Sequence, residues 1–290
     1  MGIVEELKTK KTLLFDGAMG TLLYSRGLKS GKSTEIYGYK NPEILLDIHK
    51  QYLQAGADII LTNTLGANEL NLHSQKHTIE KIIDSSVKIA KKAILESENP
   101  NKKYIALDIG PMTKRLEPIG DLTAEELYEI HKRQVVQGEK SGVDLILIET
   151  MISLEEAKIA VKASKENTNL PVFCTMTFSK FQKTYMGETV DEIIKELEKL
   201  GVDAVGINCS QGPREIKPIV DRMLEVATVP IIVKPNAGLP QIIGDETKYD
   251  IDENEFASSM KYYIEKGVNM IGGCCGTNPK FIKELRKLLK

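Results

Sequence analysis

The sequence predicts an α/β protein folded as a single (β/α)8 TIM barrel domain over residues 1–290, and three observations favour this fold class. Eight short apolar runs recur along the chain, amphipathic helical patterns lie between them, and the length is usual for such a barrel. Continuous apolar runs are typical of parallel strands that are buried on both faces. A doubly wound sheet is the alternative, but no GxGxxG phosphate loop follows the first run.

The eight predicted strands all end in polar or metal-binding residue types. They are TLLFD (12–16), ADIILTN (57–63), YIALDIG (104–110), DLILIET (144–150), PVFCTMT (171–177), AVGINCS (204–210), PIIVKPN (230–236) and MIGGCC (270–275). In this fold the C-terminal ends of the strands surround the mouth where the chemistry takes place. Solvent exposure of the following loops would explain an Asp or Asn at these ends, but it does not explain three cysteines.

The predicted helices carry their own start signals. Asn41-Pro42 opens the helix PEILLDIHKQYLQA, which Gly56 ends. Three Ser/Thr-x-x-Glu patterns predict capping boxes ahead of amphipathic runs, at Thr123–Glu126, Ser153–Glu156 and Thr189–Glu192.

Composition excludes several classes of protein. The 290 residues are 41% hydrophobic and 28% charged with a net charge of −2, and the charges are interspersed. We therefore expect no nucleic-acid partner and no membrane surface. No run of about 18 apolar residues predicts a transmembrane span, and the N-terminus does not resemble a signal peptide. Four cysteines are too few for a secreted disulfide scaffold, so a cytoplasmic location is expected.

Three of the four cysteines are predicted to converge. Cys209 ends the sixth run and Cys274 with Cys275 ends the eighth, so all three lie around one barrel mouth. Three thiolates with a fourth position free match an open zinc site. Neighbouring strand residues point to opposite faces, so adjacent cysteines can share an ion only where the glycines of GGCCG let the backbone turn. Small buried hydrophobes or a strained vicinal disulfide are the alternatives, because no CxxC pattern is present.

The remaining cysteine and the histidines are interpreted as structural. Cys174 lies in the middle of the fifth run, and His49 and His131 lie within amphipathic helices. His73 and His77 have the i,i+4 spacing of a metal pair, but no third ligand lies nearby in the sequence. The chemistry predicted from the cysteines is alkylation of a thiol, since a zinc ion held by three thiolates deprotonates a bound thiol and leaves it electron-rich.

Seven stretches resemble the homocysteine S-methyltransferase family of zinc-dependent thiol methyltransferases, and they fall in the family's order. They are FDGAMGT (15–21), AGADIILTNTLGAN (55–68), DIGP (108–111), ET (149–150), GINCS (206–210), PNAG (235–238) and GGCCGT (272–277). The resemblance implies a (β/α)8 barrel, a Zn2+ ion on Cys209, Cys274 and Cys275, and homocysteine as the methyl acceptor.

The same resemblance implies roles for other residues. Asp16 and Glu149 match acids that hold the substrate ammonium, and Gly17 resembles the turn that binds the substrate carboxylate. Asn236 resembles a residue near the zinc that occupies its fourth position before substrate arrives. Simple loop capping is the alternative for each polar residue. Two further residues are implied to support the site: Asn208 and Thr150.

Branches of the family differ in methyl donor. The spelling GINCS, PNAG and GGCCGT resembles the homocysteine-binding module of cobalamin-dependent methionine synthase, which implies a methylcobamide carried by a separate corrinoid protein, or a chain that is a fragment of a longer enzyme. Users of S-methylmethionine tend to have an arginine after the cysteine pair, where this chain has Gly276. Two alternatives stay open: a methyltransferase with S-methylmethionine or another small donor, and a non-catalytic zinc- or thiol-binding subunit. The loops after the strands are the predicted docking face for a donor protein, and the long segment 237–253 is predicted to form part of it.

Overall fold

Eight parallel strands form the centre of the computed structural model, which describes residues 2–9, 12–72, 79–97, 101–243 and 246–289. The strands are β1 Leu13–Leu14, β2 Ile59–Leu61, β3 Tyr104–Ile109, β4 Leu145–Met151, β5 Val172–Met176, β6 Ala204–Cys209, β7 Ile231–Pro235 and β10 Met270–Ile271. Their order in the sheet is β1-β10-β7-β6-β5-β4-β3-β2, and every neighbouring pair is parallel. The predicted (β/α)8 barrel is confirmed, and only β4 extends beyond its predicted run, by one residue.

The helices lie between the strands. They are α1 Ile3–Leu7, α2 Met19–Ser25, α3 Thr34–Lys40, α4 Pro42–Ala55, α5 Glu69–Leu72, α6 Ile79–Leu95, α7 Ala124–Ser141, α8 Leu154–Asn167, α9 Val190–Lys199, α10 Lys217–Val226, α11 Glu253–Glu265 and α12 Pro279–Leu288. Complete capping boxes open α7 at Thr123 and α9 at Thr189. At Ser153 the hydroxyl accepts the Glu156 N–H, while the Glu156 side chain is buried and within the field of Arg115.

Side chains of the barrel strands alternate between two apolar layers. The outward layer packs against the helices, and the inward layer fills the barrel with twelve strand residues: Leu13, Phe15, Ile59, Leu61, Tyr104, Ala106, Leu145, Leu147, Phe173, Ala204, Ile232 and Met270. Ile3 and Leu7 of α1 belong to the inward layer. They cover the end of the barrel where the strands begin, so the opposite end is left for chemistry.

The barrel closes between β1 and β2 with few backbone bonds. A single bridge joins Phe15 to Ile59, and the Asp16 N–H donates to the Ile59 carbonyl at 3.0 Å. The Asp16 side chain extends this seam, because its Oδ2 accepts the Leu61 N–H at 2.9 Å. A carboxylate therefore supplies part of the strand pairing at the position where the ladder is shortest.

A second carboxylate ties the other end of the seam to the last helix. Asp58 Oδ2 accepts the Leu14 N–H at 3.1 Å and the guanidinium of Arg286 from α12. Lys103 lies 3.4 Å from the other Asp58 oxygen, and both of these side chains are buried. Asp58 thus joins β1, β2, β3 and α12 at the closed end of the barrel.

The segment 237–253, predicted as a loop, contains a hairpin of β8 Pro240–Ile243 and β9 Glu246–Tyr249. Its base is held by the Leu239 N–H, which donates to Asp250 Oδ1 at 2.7 Å, and by the Ile251 N–H, which donates to Ala237. Among the described residues, no helix has both the length and the apolar character that a membrane crossing requires.

Candidate active site

The three cysteines predicted to converge lie together at the mouth of the barrel. Cys209 ends β6, and Cys274 and Cys275 follow β10. Their sulfur atoms all lie within 4.8 Å of one another, and the Sγ atoms of Cys209 and Cys275 are 3.6 Å apart. All three side chains are partly exposed, so the cluster faces the mouth and not the packed core.

Local backbone geometry brings these thiols together. Strand β10 stops at Ile271, so Cys274 and Cys275 lie in a turn and escape the alternation of a strand. Gly276 closes this turn with a φ of +81°, and a Cβ there would collide with the ring of Tyr249 from β9. Cys209 has a φ of +56°, which non-glycine residues rarely adopt. Both arms of the cluster therefore depend on left-handed backbone.

The thiols cannot all ionise without a cation. Hydrogen bonds from Cys209 and Cys274 lower the pKa of Cys275, and Tyr249 contributes a further hydrogen bond. The same contacts raise the pKa of Cys209 far above its ordinary value. One negative charge is thus stable among three sulfurs, and three charges need a cation.

The cluster fits a zinc ion. Two sulfurs that each lie about 2.3 Å from a tetrahedral zinc are about 3.8 Å apart, close to the observed 3.6 Å. Three soft sulfur donors are a ligand set that zinc prefers. Asn236, which follows β7, supports the fit, since its Oδ1 is buried and has no hydrogen-bond partner in the described part of the chain.

Asn208 lies behind the cluster and is fully buried. Its Oδ1 accepts hydrogen bonds from the Thr150 N–H and the Thr175 hydroxyl, both at 2.8 Å. Its Nδ2 donates to the Thr150 hydroxyl at 2.8 Å and faces Cys274 Sγ at 3.9 Å. Thr150 adopts a φ of +63° to make these bonds. The amide therefore links the end of β4 to the sulfur cluster.

A buried charge layer lies beside the cysteines. Asp16 and Glu149 are both buried, and Lys234 lies between them with its Nζ 2.6 Å from Glu149 Oε2. Burial raises the pKa of Asp16 to about 7, although the charge of Lys234 opposes the shift. Burial also raises the pKa of Glu149. Burial alone would lower the pKa of Lys234, but the carboxylates outweigh it and the net shift is upward.

The sequence assigned no role to two members of this layer, Lys234 and Asp108, although Asp108 lies near the end of the third predicted strand. Burial raises the pKa of Asp108 well above its ordinary range, and the charge of Glu149 adds to the shift. Both lie two residues beyond an inward-facing apolar residue, Ala106 or Ile232. A polar residue at that spacing near a strand end is the signal that could have found them.

Gly17 follows Asp16 at the mouth. A Cβ at Gly17 would lie 2.7 Å from the Thr277 hydroxyl and 3.0 Å from the Tyr52 hydroxyl. The neighbouring Ala18 N–H donates to the Thr277 hydroxyl at 3.2 Å. Only glycine leaves this turn close to the loop that carries the cysteines.

The other cysteine and histidines lie away from the mouth or outside the described residues. Cys174 is fully buried in the outward apolar layer. His49 and His131 are fully buried, and burial lowers the pKa of each to about 4. His73 and His77, which have the spacing of a metal pair but no predicted third ligand, lie outside the described residues.

A (β/α)8 barrel with three converging thiols and a buried charge layer at its mouth has the form of a TIM-barrel active site that could hold a metal ion. The sequence profile described as homocysteine S-methyltransferase matches residues 13–289. The chain therefore belongs to the homocysteine S-methyltransferase family, and the predicted family is confirmed.

Relatives and solved structures agree with this assignment. The methionine synthase of Mycobacterium leprae is 32% identical over 298 positions, which cover 97% of this chain and 24% of the relative. The methionine synthase of Mycobacterium tuberculosis is equally similar, with 25% of its length covered. The chain thus spans about a quarter of the length of these relatives. The metallated homocysteine methyltransferase MmuM of Escherichia coli shares the fold, with a TM-score of 0.83, 22% identity and 98% of each chain covered.

Proposed function

We propose that this chain is a zinc-dependent methyltransferase that converts homocysteine to methionine, with a methylcorrinoid on a separate protein as the methyl donor. The observation that carries the proposal is the convergence of three thiols beside a buried charge layer at the barrel mouth. The likeness to two methionine synthases supports methionine as the product. The choice of a methylcorrinoid donor rests on the resemblance of the motifs GINCS, PNAG and GGCCGT. The expected cytoplasmic location is part of the proposal, because thiol ligands need a reducing compartment.

In this proposal Cys209, Cys274 and Cys275 would hold zinc, and Asn236 is the neighbouring polar residue with an unpartnered oxygen in the described structure. When bound, the ion lowers the pKa of a thiol at that position, which supplies a thiolate near neutral pH.

The protein's own residues position the substrate. Asp16 and Glu149 bind the ammonium of homocysteine, and the turn at Gly17 receives its carboxylate. Asn208 contacts both Cys274 and Thr150 at the end of β4, and it thereby fixes the position of the Cys274 thiol relative to that strand. The substrate thiolate then attacks the methyl carbon, and the bond from that carbon to the donor breaks with its electron pair leaving on the donor. No side-chain base would be required, because the thiol would already have lost its proton on binding the ion.

The test is methionine formation by the purified zinc-loaded chain with methylcobalamin and S-methylmethionine supplied in parallel. Turnover with methylcobalamin alone is the expected result. Turnover with S-methylmethionine alone would establish a small-molecule donor. Homocysteine binding without turnover on either donor would indicate a binding subunit.

Substitution of one ligand tests the zinc assignment. We expect Cys275→Ser to lose most bound zinc and to reduce turnover at least about a hundredfold, since a serine hydroxyl is a poor zinc ligand. Cys174→Ala is the matched control, because Cys174 lies in the apolar layer, and it should keep one zinc per chain by elemental analysis. Full zinc and full turnover in Cys275→Ser would show that the mechanism is wrong.

A further inference from the structure

The charge layer at the barrel mouth holds three carboxylates and one ammonium: Asp16, Asp108, Glu149 and Lys234. All four are at least nine-tenths buried. The charges of Glu149, Lys234 and Asp16 all act on Asp108. One internal ammonium leaves this layer with an excess of carboxylates, so its electrostatics favour one more cation.

Lys234 is held in place on three sides. Its Nζ lies 2.6 Å from Glu149 Oε2 and 4.9 Å from the centre of the Phe15 ring. A Cβ on Gly272 would come within 3.3 Å of the Lys234 stem, so glycine leaves the room that this side chain occupies. The ion pair therefore occupies one oxygen of Glu149 and leaves the other for a ligand.

The two aspartates each present an unused oxygen. Asp16 Oδ2 is bonded to the Leu61 N–H, whereas Asp16 Oδ1 is buried with no hydrogen-bond partner among the described residues. Asp108 Oδ1 is also buried and unpartnered in that part of the chain. Buried acceptors are normally satisfied, since leaving one unpaired is costly. Asp16 Oδ1 and Asp108 Oδ1 are therefore available to accept hydrogen bonds from a ligand.

We propose that Asp108 is a third ammonium-binding residue and that Lys234 is a positioning residue, which holds Glu149 so that each of three carboxylates offers one free oxygen. This inference rests on the proposed function. An α-ammonium has three N–H donors, so the three free oxygens match it in number and the excess charge matches it in sign. The site therefore selects thiols that carry an amino group.

The test compares two thiols by titration calorimetry on the zinc-loaded full chain. L-homocysteine carries the ammonium, and 4-sulfanylbutanoate has the same thiol and carboxylate without it. We expect the chain to bind homocysteine more tightly, and Asp108→Asn to reduce the ratio of the two affinities by about tenfold or more. The affinity for 4-sulfanylbutanoate should stay within about threefold, because that ligand makes no bond to Asp108.

Glu156→Gln is the matched control for Asp108→Asn. Glu156 is also a buried carboxylate with an unpartnered oxygen in the described structure, but it lies on α8. Its substitution should leave the affinity ratio unchanged. A folded Asp108→Asn variant with an unchanged ratio would overturn the role of Asp108.

Lys234→Met separates positioning from mere structure. The substitution removes the ion pair that holds Glu149, so the affinity for homocysteine should fall more than that for 4-sulfanylbutanoate and the affinity ratio should decrease. A ratio that rises would overturn the positioning role. Equal weakening of both thiols would overturn the assignment of Lys234, and it would indicate that Lys234 binds the carboxylate that both ligands share. If this variant does not fold, Asp108→Asn still decides the proposal.

The unsubstituted chain distinguishes this inference from the proposed function. Equal affinity for both thiols would refute the three-carboxylate receptor and leave the methyltransferase proposal standing. Binding of neither thiol would contradict the proposed function and the inference with it.

Discussion

Gly276 shows how a single residue can control the cysteine cluster. Its φ of +81° is strained for any side chain, and an added Cβ would collide with the Tyr249 ring. We expect Gly276→Ala to lower the free energy of unfolding by about 2–4 kcal/mol and to weaken zinc binding. Gly201→Ala is the control, because Gly201 has a similar φ of +76° in open space. It should lose only about 1 kcal/mol in urea denaturation and keep its zinc.

Asp16 predicts a pH dependence of stability. Burial raises its pKa from 3.8 to about 7, so the folded chain binds more protons than the unfolded chain between about pH 4 and 7. The free energy of unfolding therefore falls as pH rises through this window. We expect Asp16→Asn to be more stable than the ligand-free parent at pH 8, by up to about 4 kcal/mol, and to be nearly equal at pH 4.

Chemical denaturation at the two pH values checks the Asp16 prediction. The control is Asp121→Asn, which removes an exposed carboxylate paired with Lys114 and should leave the pH dependence nearly unchanged. A difference between Asp16→Asn and its parent that is the same at pH 4 and pH 8 would contradict the buried, raised pKa. The same substitution should weaken homocysteine binding, which calorimetry measures.

At the scale of elements, α1 covers the closed end of the barrel. Leu7 is buried in the inward layer, whereas the site lies at the opposite end. We expect Leu7→Ala to cost about 2–4 kcal/mol of unfolding free energy and to leave zinc content of the folded chain unchanged. Leu95→Ala on α6 is the control, since Leu95 is 85% exposed and should change stability little. Loss of zinc at full stability would show that α1 acts on the site.

The elements that the sequence predicts best are those encoded by local patterns. Continuous apolar runs predict all eight barrel strands, because parallel strands are buried on both faces. The predicted box at Ser153 is incomplete because the Glu156 side chain is drawn into the fold near Arg115. The hairpin of β8 and β9 was predicted as a loop, although the Gly-Asp pair in the sequence at 244–245 is a pattern that favours a hairpin.

The site was predictable where residue type alone carries chemistry. Adjacent cysteines between glycines favour a metal site over core packing, and the structure brings the three thiols together as expected. Lys234 was missed because the run PIIVKPN was interpreted as a uniformly apolar strand. A lysine whose side chain is buried inside the barrel is not expected from such a pattern. Its partner Glu149 lies 85 positions away, and only the closed barrel brings the two charges into contact.

At the scale of the whole molecule, Asp58 holds the closed end together. It contacts Leu14, Lys103 and Arg286, which belong to distant parts of the chain. We expect Asp58→Ala to lower the free energy of unfolding by about 3–5 kcal/mol, since it removes the buried carboxylate that pairs with Lys103 and Arg286. Urea denaturation measures the loss.

The control for Asp58 lies on the same helix as Arg286. Lys287→Ala removes an exposed pair with Glu284 on α12 and should have almost no effect on stability. A small effect of Asp58→Ala, comparable with that control, would show that the barrel closes without this ion cluster.

The two oxygens of Asp16 face different tasks. Oδ2 completes the pairing between β1 and β2, whereas Oδ1 is buried without a partner in the described chain and is the oxygen that we propose to bind the ligand. A ligand that binds Oδ1 therefore fixes the carboxylate whose other oxygen pairs β1 with β2. Ligand binding is then coupled to the local opening of this strand pair. The exchange rate of the Leu61 amide proton with solvent should fall when homocysteine is present. Hydrogen exchange at the Leu61 backbone amide would therefore measure whether substrate is bound to the barrel.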